Sequence, residues 1–155
     1  MQISKVITPA RIRVPLQATD KRGAITELVD LLASDGALAS RDAALEAVLK
    51  REAERTTGIG YGLAIPHGKS DGCASLVMAA GRPAQPIEYQ SLDKKPVTLI
   101  VLLISPPEQT GAHIQALAKI SRLMNIEGFR AAVEKAATPE ELHRVIAAHE
   151  AGDAA

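Results

Sequence analysis

The chain has 155 residues, of which 46% are apolar, so it is long enough to bury one hydrophobic core of ordinary domain size. Its 18 basic residues balance its 18 acidic residues, and only 2% of the chain is aromatic. This composition excludes a strongly basic nucleic-acid-binding surface and a platform that stacks bases. The single cysteine excludes an internal disulfide, which fits a reducing compartment.

The N-terminal residues lack the apolar stretch of a secretory signal. The longest apolar run, at residues 97–104, is far shorter than the ~20 residues that a membrane-spanning helix needs. We therefore expect a cytoplasmic protein without membrane insertion. No linker or internal repeat divides the sequence, which predicts one domain over residues 1–150 and a frayed tail at 151–155.

The first half of the chain predicts an edge strand and two helices. Residues 12–16 alternate weakly and contain Pro15, which limits a strand there to the edge of a sheet. From about residue 20 the apolar residues recur at helical spacing, and Gly36 is a typical stop. Ser40 can cap the second helix, whose last residues, 50–55, are all charged except Ala53.

The apolar run at residues 97–104 predicts a central strand, because such β-branched runs suit a strand covered on both faces. Shorter strands are predicted at residues 63–65 and 74–80. A strand covered on both faces needs helices on both sides. We therefore expect an α/β fold, a three-layer sandwich in which helices flank both faces of a mixed central β-sheet.

Three helices are predicted after the central strand. Pro106 and Pro107 end the strand and can open a helix that runs to about Asn125. A short helix follows near residues 129–133. The pattern at residues 138–141 is a capping box with proline at the first helical position, and it opens a last helix.

Glycines surround one histidine in the segment from Thr57 to Lys69. The segment contains Gly58, Gly60, Gly62 and Gly68, and Pro66 directly precedes His67. Glycine lets the backbone approach a ligand closely, and proline fixes the local chain direction. Within the segment, Pro66 and His67 directly follow the strand predicted at residues 63–65, and the ends of strands commonly carry function in α/β folds.

Two nucleotide-binding motifs are incomplete in this segment. Gly58 and Gly60 begin like a dinucleotide fingerprint, but Leu63 occupies the position of its third glycine. Gly68 and the two residues after it resemble the end of a P-loop, but Leu63 also occupies the place of its first glycine. We therefore expect no nucleotide site. A metal site built from His67, His113 and Cys73 matches no zinc spacing.

His113 and Arg51 each allow two interpretations. His113 lies on the inward stripe of its predicted helix. It could be a buried side chain that forms a hydrogen bond with the backbone. It could also be an imidazole placed near the helix N-terminus, where an anion can bind. Arg51 lies at a helix end, where it could be solvated or paired with Glu52 or Glu54. Its planar guanidinium is also suited to bind phosphate oxygens.

The glycine-rich segment resembles the active-site signature of a bacterial protein family. The matching residues are Thr57-Gly58-Ile59-Gly60 and Ala64-Ile65-Pro66-His67-Gly68-Lys69. The family is the fructose/mannitol/nitrogen-regulatory type of IIA protein, the type-2 IIA domain of the phosphoenolpyruvate-dependent phosphotransferase system (PTS). The resemblance continues through His113 to residues 140–142, and so spans most of the chain.

The resemblance implies a phosphohistidine carrier, a phosphotransferase component that needs no cofactor. His67 would accept the phosphoryl group, and Arg51, His113 and Gly68 would bind it. HPr or an HPr-like phosphocarrier would be the donor, and a IIB component or a regulatory target protein the acceptor. A homodimer is compatible with the sequence. Tyr61 departs from the smaller or polar residue that is frequent in the family, and we expect it at the rim of the site.

Three functions stay open on the sequence alone. A sugar-uptake IIA protein would pass the phosphoryl group to the cysteine of a separate IIB chain. A nitrogen-regulatory protein would use its phosphorylation state as a signal, and the free-standing length favours this version. A non-catalytic binding module would act by contact alone, and the joint presence of His67, His113 and Arg51 argues against it.

Overall fold

The computed structural model describes the backbone of residues 1–154 and the side chains of residues 1–152. The helices are α1 (Ile3–Val6), α2 (Lys21–Ser34), α3 (Arg41–Glu54), α4 (Thr110–Met124), α5 (Glu127–Lys135) and α6 (Pro139–Ala154). The strands are β1 (Ile12–Leu16), β2 (Gly58–Gly60), β3 (Leu63–Ala64), β4 (His67–Lys69), β5 (Val77–Pro83) and β6 (Leu99–Ser105). A short 3₁₀ turn, Pro9–Arg11, precedes β1.

The strands form one mixed sheet in the order β1-β5-β6-β3-β2, and β4 pairs with β6 beyond the end of β3. The pair of β5 and β6 is antiparallel, whereas β1 pairs with β5, and β3 and β4 pair with β6, in parallel. Every residue of β6 is buried, which confirms the predicted central strand. The strand begins at Leu99 because Val97 forms an isolated bridge to Ile87 instead.

Helices cover both faces of the sheet, so the predicted three-layer sandwich is confirmed. Alternate residues of β6 point to opposite faces. Leu99, Val101 and Leu103 join one apolar cluster with α1, α4, α5 and α6. The residues between them join a second cluster with α2 and α3. None of the helices in the described part of the chain has the length and apolar character needed to cross a bilayer.

Side-chain caps fix the starts of three helices, and two of them, at Ser40 and Thr138, are those that the sequence predicts. Asp20 accepts a hydrogen bond from the Gly23 amide at 2.7 Å, and Ser40 accepts one from the Ala43 amide at 3.2 Å. The Thr138 hydroxyl accepts one from the Glu141 amide at 3.1 Å. Helix α6 then continues through Ala154, into the predicted tail, of which Ala155 lies outside the described residues.

Tyr61 lies in the turn between β2 and β3, where three consecutive residues have positive φ angles of 113°, 56° and 80°. Leu63 pairs with Leu99, whereas His67 pairs with Leu103. These positions are about 13 Å apart along β6, and Tyr61 lies further still from His67. Its ring stacks against the Arg130 guanidinium at 4.6 Å. The prediction that Tyr61 lies at the rim of the site is therefore wrong.

Candidate active site

His67 is the first residue of β4 and is half-buried. Its Nδ1 lies 2.7 Å from the carbonyl oxygen of Ile65. A carbonyl oxygen can only accept a hydrogen bond, so the neutral imidazole carries its proton on Nδ1. The lone pair therefore lies on Nε2. The backbone hydrogen bond thus leaves one defined nitrogen available for attack on phosphorus.

Main-chain contacts fix the backbone on both sides of His67. The Ile65 amide donates to the Thr57 carbonyl at 3.0 Å, and the Leu103 amide donates to the Pro66 carbonyl at 3.0 Å. A Cβ on Gly68 would lie 3.0 Å from backbone atoms of α3, so glycine lets β4 pack against that helix. The structure gives Gly68 this packing function, and its contact with phosphate stays a prediction.

His113 lies in the first turn of α4 and is only 5% exposed. The centroid of its ring is 5.3 Å from that of His67, at an interplanar angle of 69°. Its Nδ1 lies 2.6 Å from the hydroxyl of Ser105, the last residue of β6. His113 is thus buried, but its partner is a side chain rather than backbone, and the fold brings the two histidines into contact.

Arg51 lies in the last turn of α3 and donates from Nη1 to the carbonyl of Arg55 at 2.9 Å. In the part of the chain that the structure describes, it forms no ion pair with Glu52 or Glu54. Arg51 and Lys69 both line an open groove of about 600 Å³ between α3 and the loop after β4. The Arg51 charge acts on His67, where it contributes to a lowered pKa.

Lys69 is a further candidate site residue, which the sequence did not single out. It follows His67 by two positions on β4, and side chains at that spacing share one face of a strand. Its Nζ donates to the hydroxyl of Thr110 at 3.1 Å, at the start of α4. The two-residue spacing between His67 and Lys69 is visible in the sequence. It places the two side chains on one face only in a strand, and no strand was predicted there.

Glu52 forms the centre of a buried hydrogen-bond network behind the site and is 7% exposed. It accepts from the Thr57 amide at 2.8 Å, from the Tyr89 hydroxyl at 2.9 Å and from Lys21 Nζ at 3.1 Å. The Thr57 hydroxyl also donates to it. The Thr57 carbonyl accepts a hydrogen bond from the Ile65 amide, and the Ile65 carbonyl in turn binds Nδ1 of His67. The Glu52 carboxylate therefore supports the backbone that orients the imidazole.

Burial favours the neutral form of both imidazoles. Burial lowers the pKa of His67, and the Arg51 charge adds to that effect, although the hydrogen bond to Ile65 opposes it. Burial lowers the pKa of His113 to about 4, and the neighbouring His67 and Lys69 contribute. A neutral imidazole keeps the lone pair that a nucleophile requires.

We expect the free energy of unfolding to fall as the pH falls from about 6.5 towards 4. The unfolded chain protonates His113 at its ordinary pKa of about 6.5, whereas the folded protein resists protonation to about 4. Linkage then predicts a loss of up to about 3 kcal/mol across this window, reduced to the extent that solvent screens the ring. Urea unfolding of wild type and His113→Gln at several pH values would measure it. A variant with the same pH dependence as wild type would contradict the assigned pKa.

Cys73 is buried and does not join the histidines. Its Sγ lies 3.6 Å from the carbonyl of Ser70, and burial raises the pKa of its thiol. Among the described residues, no three His, Cys, Asp or Glu side chains are grouped to hold a metal ion.

The sequence profile of the family described as "Phosphoenolpyruvate-dependent sugar phosphotransferase system, EIIA 2" matches residues 5–149. The chain belongs to this family. A "PTS system fructose-specific EIIA component" from Haloferax volcanii is 37% identical over 127 residues, which cover 82% of each chain. A "Nitrogen regulatory protein" from Bradyrhizobium diazoefficiens is 32% identical over 147 residues, which cover 95% of each chain.

A solved structure extends the comparison to the fold of this PTS EIIA protein. It is the complex of enzyme IIAMTL and phosphorylated enzyme IIBMTL from Escherichia coli. The likeness has a TM-score of 0.78 at 16% identity and covers 92% of this chain and 97% of that chain. This likeness shows the EIIA fold, and the family match makes the protein a component of a phosphotransferase system. Its relatives carry sugar-specific and nitrogen-regulatory names alike.

Proposed function

We propose that this EIIA protein carries a phosphoryl group on Nε2 of His67. It takes the group from HPr or an HPr-like phosphocarrier and passes it to a second protein. The observation that carries the proposal is the 2.7 Å hydrogen bond between His67 Nδ1 and the Ile65 carbonyl. That bond holds the ring proton on one nitrogen and leaves the lone pair on the other.

The transfer needs little covalent chemistry from the protein. The Nε2 lone pair of His67 attacks phosphorus and forms a P–N bond, while the bond between phosphorus and the donor's nitrogen breaks and its electron pair returns to the donor. The proton on Nδ1 stays on the ring, where the Ile65 carbonyl stabilises the positive charge that the ring gains. What remains is to position the group and to stabilise its charge.

Three side chains around His67 can stabilise the phosphoryl oxygens. Arg51 and Lys69 bring positive charge from the groove, and His113 lies edge to face with the acceptor ring. A guanidinium can offer two parallel donors to phosphate oxygens, whereas an ammonium acts as a point charge. We propose Arg51 and His113 as direct phosphate ligands, together with the main chain at Gly68.

The acceptor is either a IIB component or a regulatory target protein. The mannitol-type relative in complex with its phosphorylated IIB partner supports the first version. The nitrogen-regulatory relative, matched over 95% of each chain, supports the second, which we favour. Adding a candidate IIB protein to the phosphorylated EIIA protein distinguishes the two versions. Only a sugar-uptake protein would transfer its phosphoryl group to the IIB cysteine.

The test of the carrier function is a reconstitution. The protein is incubated with phosphoenolpyruvate, enzyme I and an HPr-like donor, and its mass is recorded before and after mild acid. We expect the mass of one phosphoryl group to be gained and then lost in acid. A chain that gains no mass from a donor that is itself phosphorylated would be a binding module instead.

We expect His113→Ala to keep the fold and to slow phosphoryl acceptance by about 10-fold to 100-fold. A hydrogen bond to a charged group contributes about 1.5–3 kcal/mol, which corresponds to a rate effect of that size. Initial phosphorylation rates and circular dichroism spectra of wild type and variant would check it. An unfolded variant would show that His113 is structural, and an unchanged rate would remove it from the site.

A further inference from the structure

The hydroxyl of Ser105 is the most deeply buried polar group beside the two histidines. Ser105 is 0% exposed and ends β6, where its backbone is fixed by pairing with Lys69 and by a 2.9 Å hydrogen bond from the Ser70 amide. Its Oγ lies 2.6 Å from Nδ1 of His113.

We propose that Ser105 is a positioning residue that sets the tautomer of His113. Its hydroxyl donates to Nδ1, so that the single ring proton lies on Nε2 and can be donated to a phosphoryl oxygen on His67. This inference rests on the proposed carrier function. It adds to that function the reason why His113 acts as a hydrogen-bond donor.

Hydrogen-bond satisfaction decides the direction of the bond between Ser105 and His113. Among the described residues, His113 is the only partner of the Ser105 hydroxyl. If the hydroxyl accepted a proton from Nδ1, its own proton would be buried without an acceptor, at a cost of about 1–3 kcal/mol. If it donates to the Nδ1 lone pair instead, both groups are satisfied, and this arrangement is favoured.

The neutral state of His113 makes the choice of tautomer matter. Burial keeps the imidazole uncharged, with help from the cationic Lys69 and the neighbouring His67. A neutral ring has one proton for two nitrogens. With Nδ1 engaged by Ser105, Nε2 is the nitrogen left for the phosphoryl group. In the other tautomer Nε2 would present a lone pair, which repels phosphoryl oxygens.

The tautomer can be read directly in the unphosphorylated protein. Nitrogen NMR of protein labelled in its histidine rings distinguishes a protonated ring nitrogen from one that bears a lone pair. For wild type at neutral pH we expect His113 to carry its proton on Nε2. A proton on Nδ1 would overturn the proposal. This measurement needs no variant and no phosphorylation, so it stands even if the carrier function fails.

Substitution of Ser105 tests the consequence for transfer. We expect Ser105→Ala to give a mixture of His113 tautomers and to slow phosphoryl acceptance about 10-fold, and Ser105→Thr to restore most of the rate. The control is Ser91→Ala, because Ser91 is also buried but its hydroxyl has no partner among the described residues. It should change neither the tautomer nor the rate.

A double-mutant comparison separates positioning from general damage. If Ser105 acts through His113, adding Ser105→Ala to His113→Ala should slow transfer no further. An equal slowing in both backgrounds would show a merely structural effect, and a Ser105→Ala rate equal to wild type would also overturn the proposal. Failure of the carrier function gives a different result, namely that wild type itself is not phosphorylated.

Discussion

His67→Gln is expected to abolish phosphoryl acceptance, with a loss of more than about 10⁴-fold in rate. Glutamine can still donate an amide hydrogen bond to the Ile65 carbonyl, so the local backbone should be retained. It has no nitrogen lone pair that can attack phosphorus. The acid-labile mass gain after incubation with enzyme I and an HPr-like donor measures the loss.

The matched control for this substitution is His149→Gln. His149 lies on α6 with its ring 5.4 Å from that of Phe129 and its Nδ1 bonded to the Val145 carbonyl. It therefore tests the loss of an imidazole outside the site. We expect full phosphorylation of this variant. Equal loss in both variants, or full phosphorylation of His67→Gln, would show that the acceptor has been wrongly assigned.

Glu52→Ala is expected to destabilise the protein by about 3 kcal/mol or more, because it removes the common acceptor of a buried network. The Thr57 amide, the Tyr89 hydroxyl and Lys21 would all lose their shared partner. Phosphoryl acceptance should also slow under folding conditions, since Thr57 supports the backbone that holds His67. Urea unfolding and phosphorylation rates below the unfolding transition would measure the two effects.

Glu54→Ala is the control for Glu52→Ala, because Glu54 lies in the same last turn of α3 but is exposed. Its substitution should change the free energy of unfolding by less than about 0.5 kcal/mol. A Glu52→Ala variant as stable as Glu54→Ala would contradict the network. If Glu52→Ala is destabilised but is phosphorylated at the wild-type rate, Glu52 contributes to stability and not to phosphoryl transfer.

The stabilisation that Glu52 provides should also depend on pH. Burial alone would raise the pKa of its carboxyl group, but the hydrogen bonds from Thr57, Tyr89 and Lys21 outweigh burial and lower it. A lowered pKa in the folded state means that the contribution is present above the ordinary value of about 4.3. It is lost as the pH falls through the lower, folded value.

Much of the fold could be predicted because it is encoded locally. The apolar run of β6 and the caps at Ser40 and Thr138 depend only on neighbouring residues. Strands β2 and β4 could not be predicted, because Gly-Ile-Gly and His-Gly-Lys have little intrinsic preference for a strand. Strand β2 forms by pairing with β3, across a turn, and β4 forms by pairing with β6, which is distant in sequence.

The site could be predicted only in part for the same reason. The glycine-rich surround marked His67, but the contact with His113 arises from the pairing of β4 with the end of β6. That pairing also brings Lys69 next to Ser105 and places Tyr61 at the far end of the sheet. Register between strands is not visible in the local sequence, and so Ser105, Glu52 and the position of Tyr61 required the structure.

In the proposed reaction, Nε2 of His67 forms a transient bond to phosphorus. Phosphorus and nitrogen NMR of the protein, labelled in its histidine rings and phosphorylated by enzyme I and an HPr-like donor, would test it most directly. We predict that the phosphorus is coupled to Nε2 of His67, while Nδ1 keeps its proton. A phosphoryl group on Nδ1, or on any other residue, would show that Nε2 of His67 is not the acceptor.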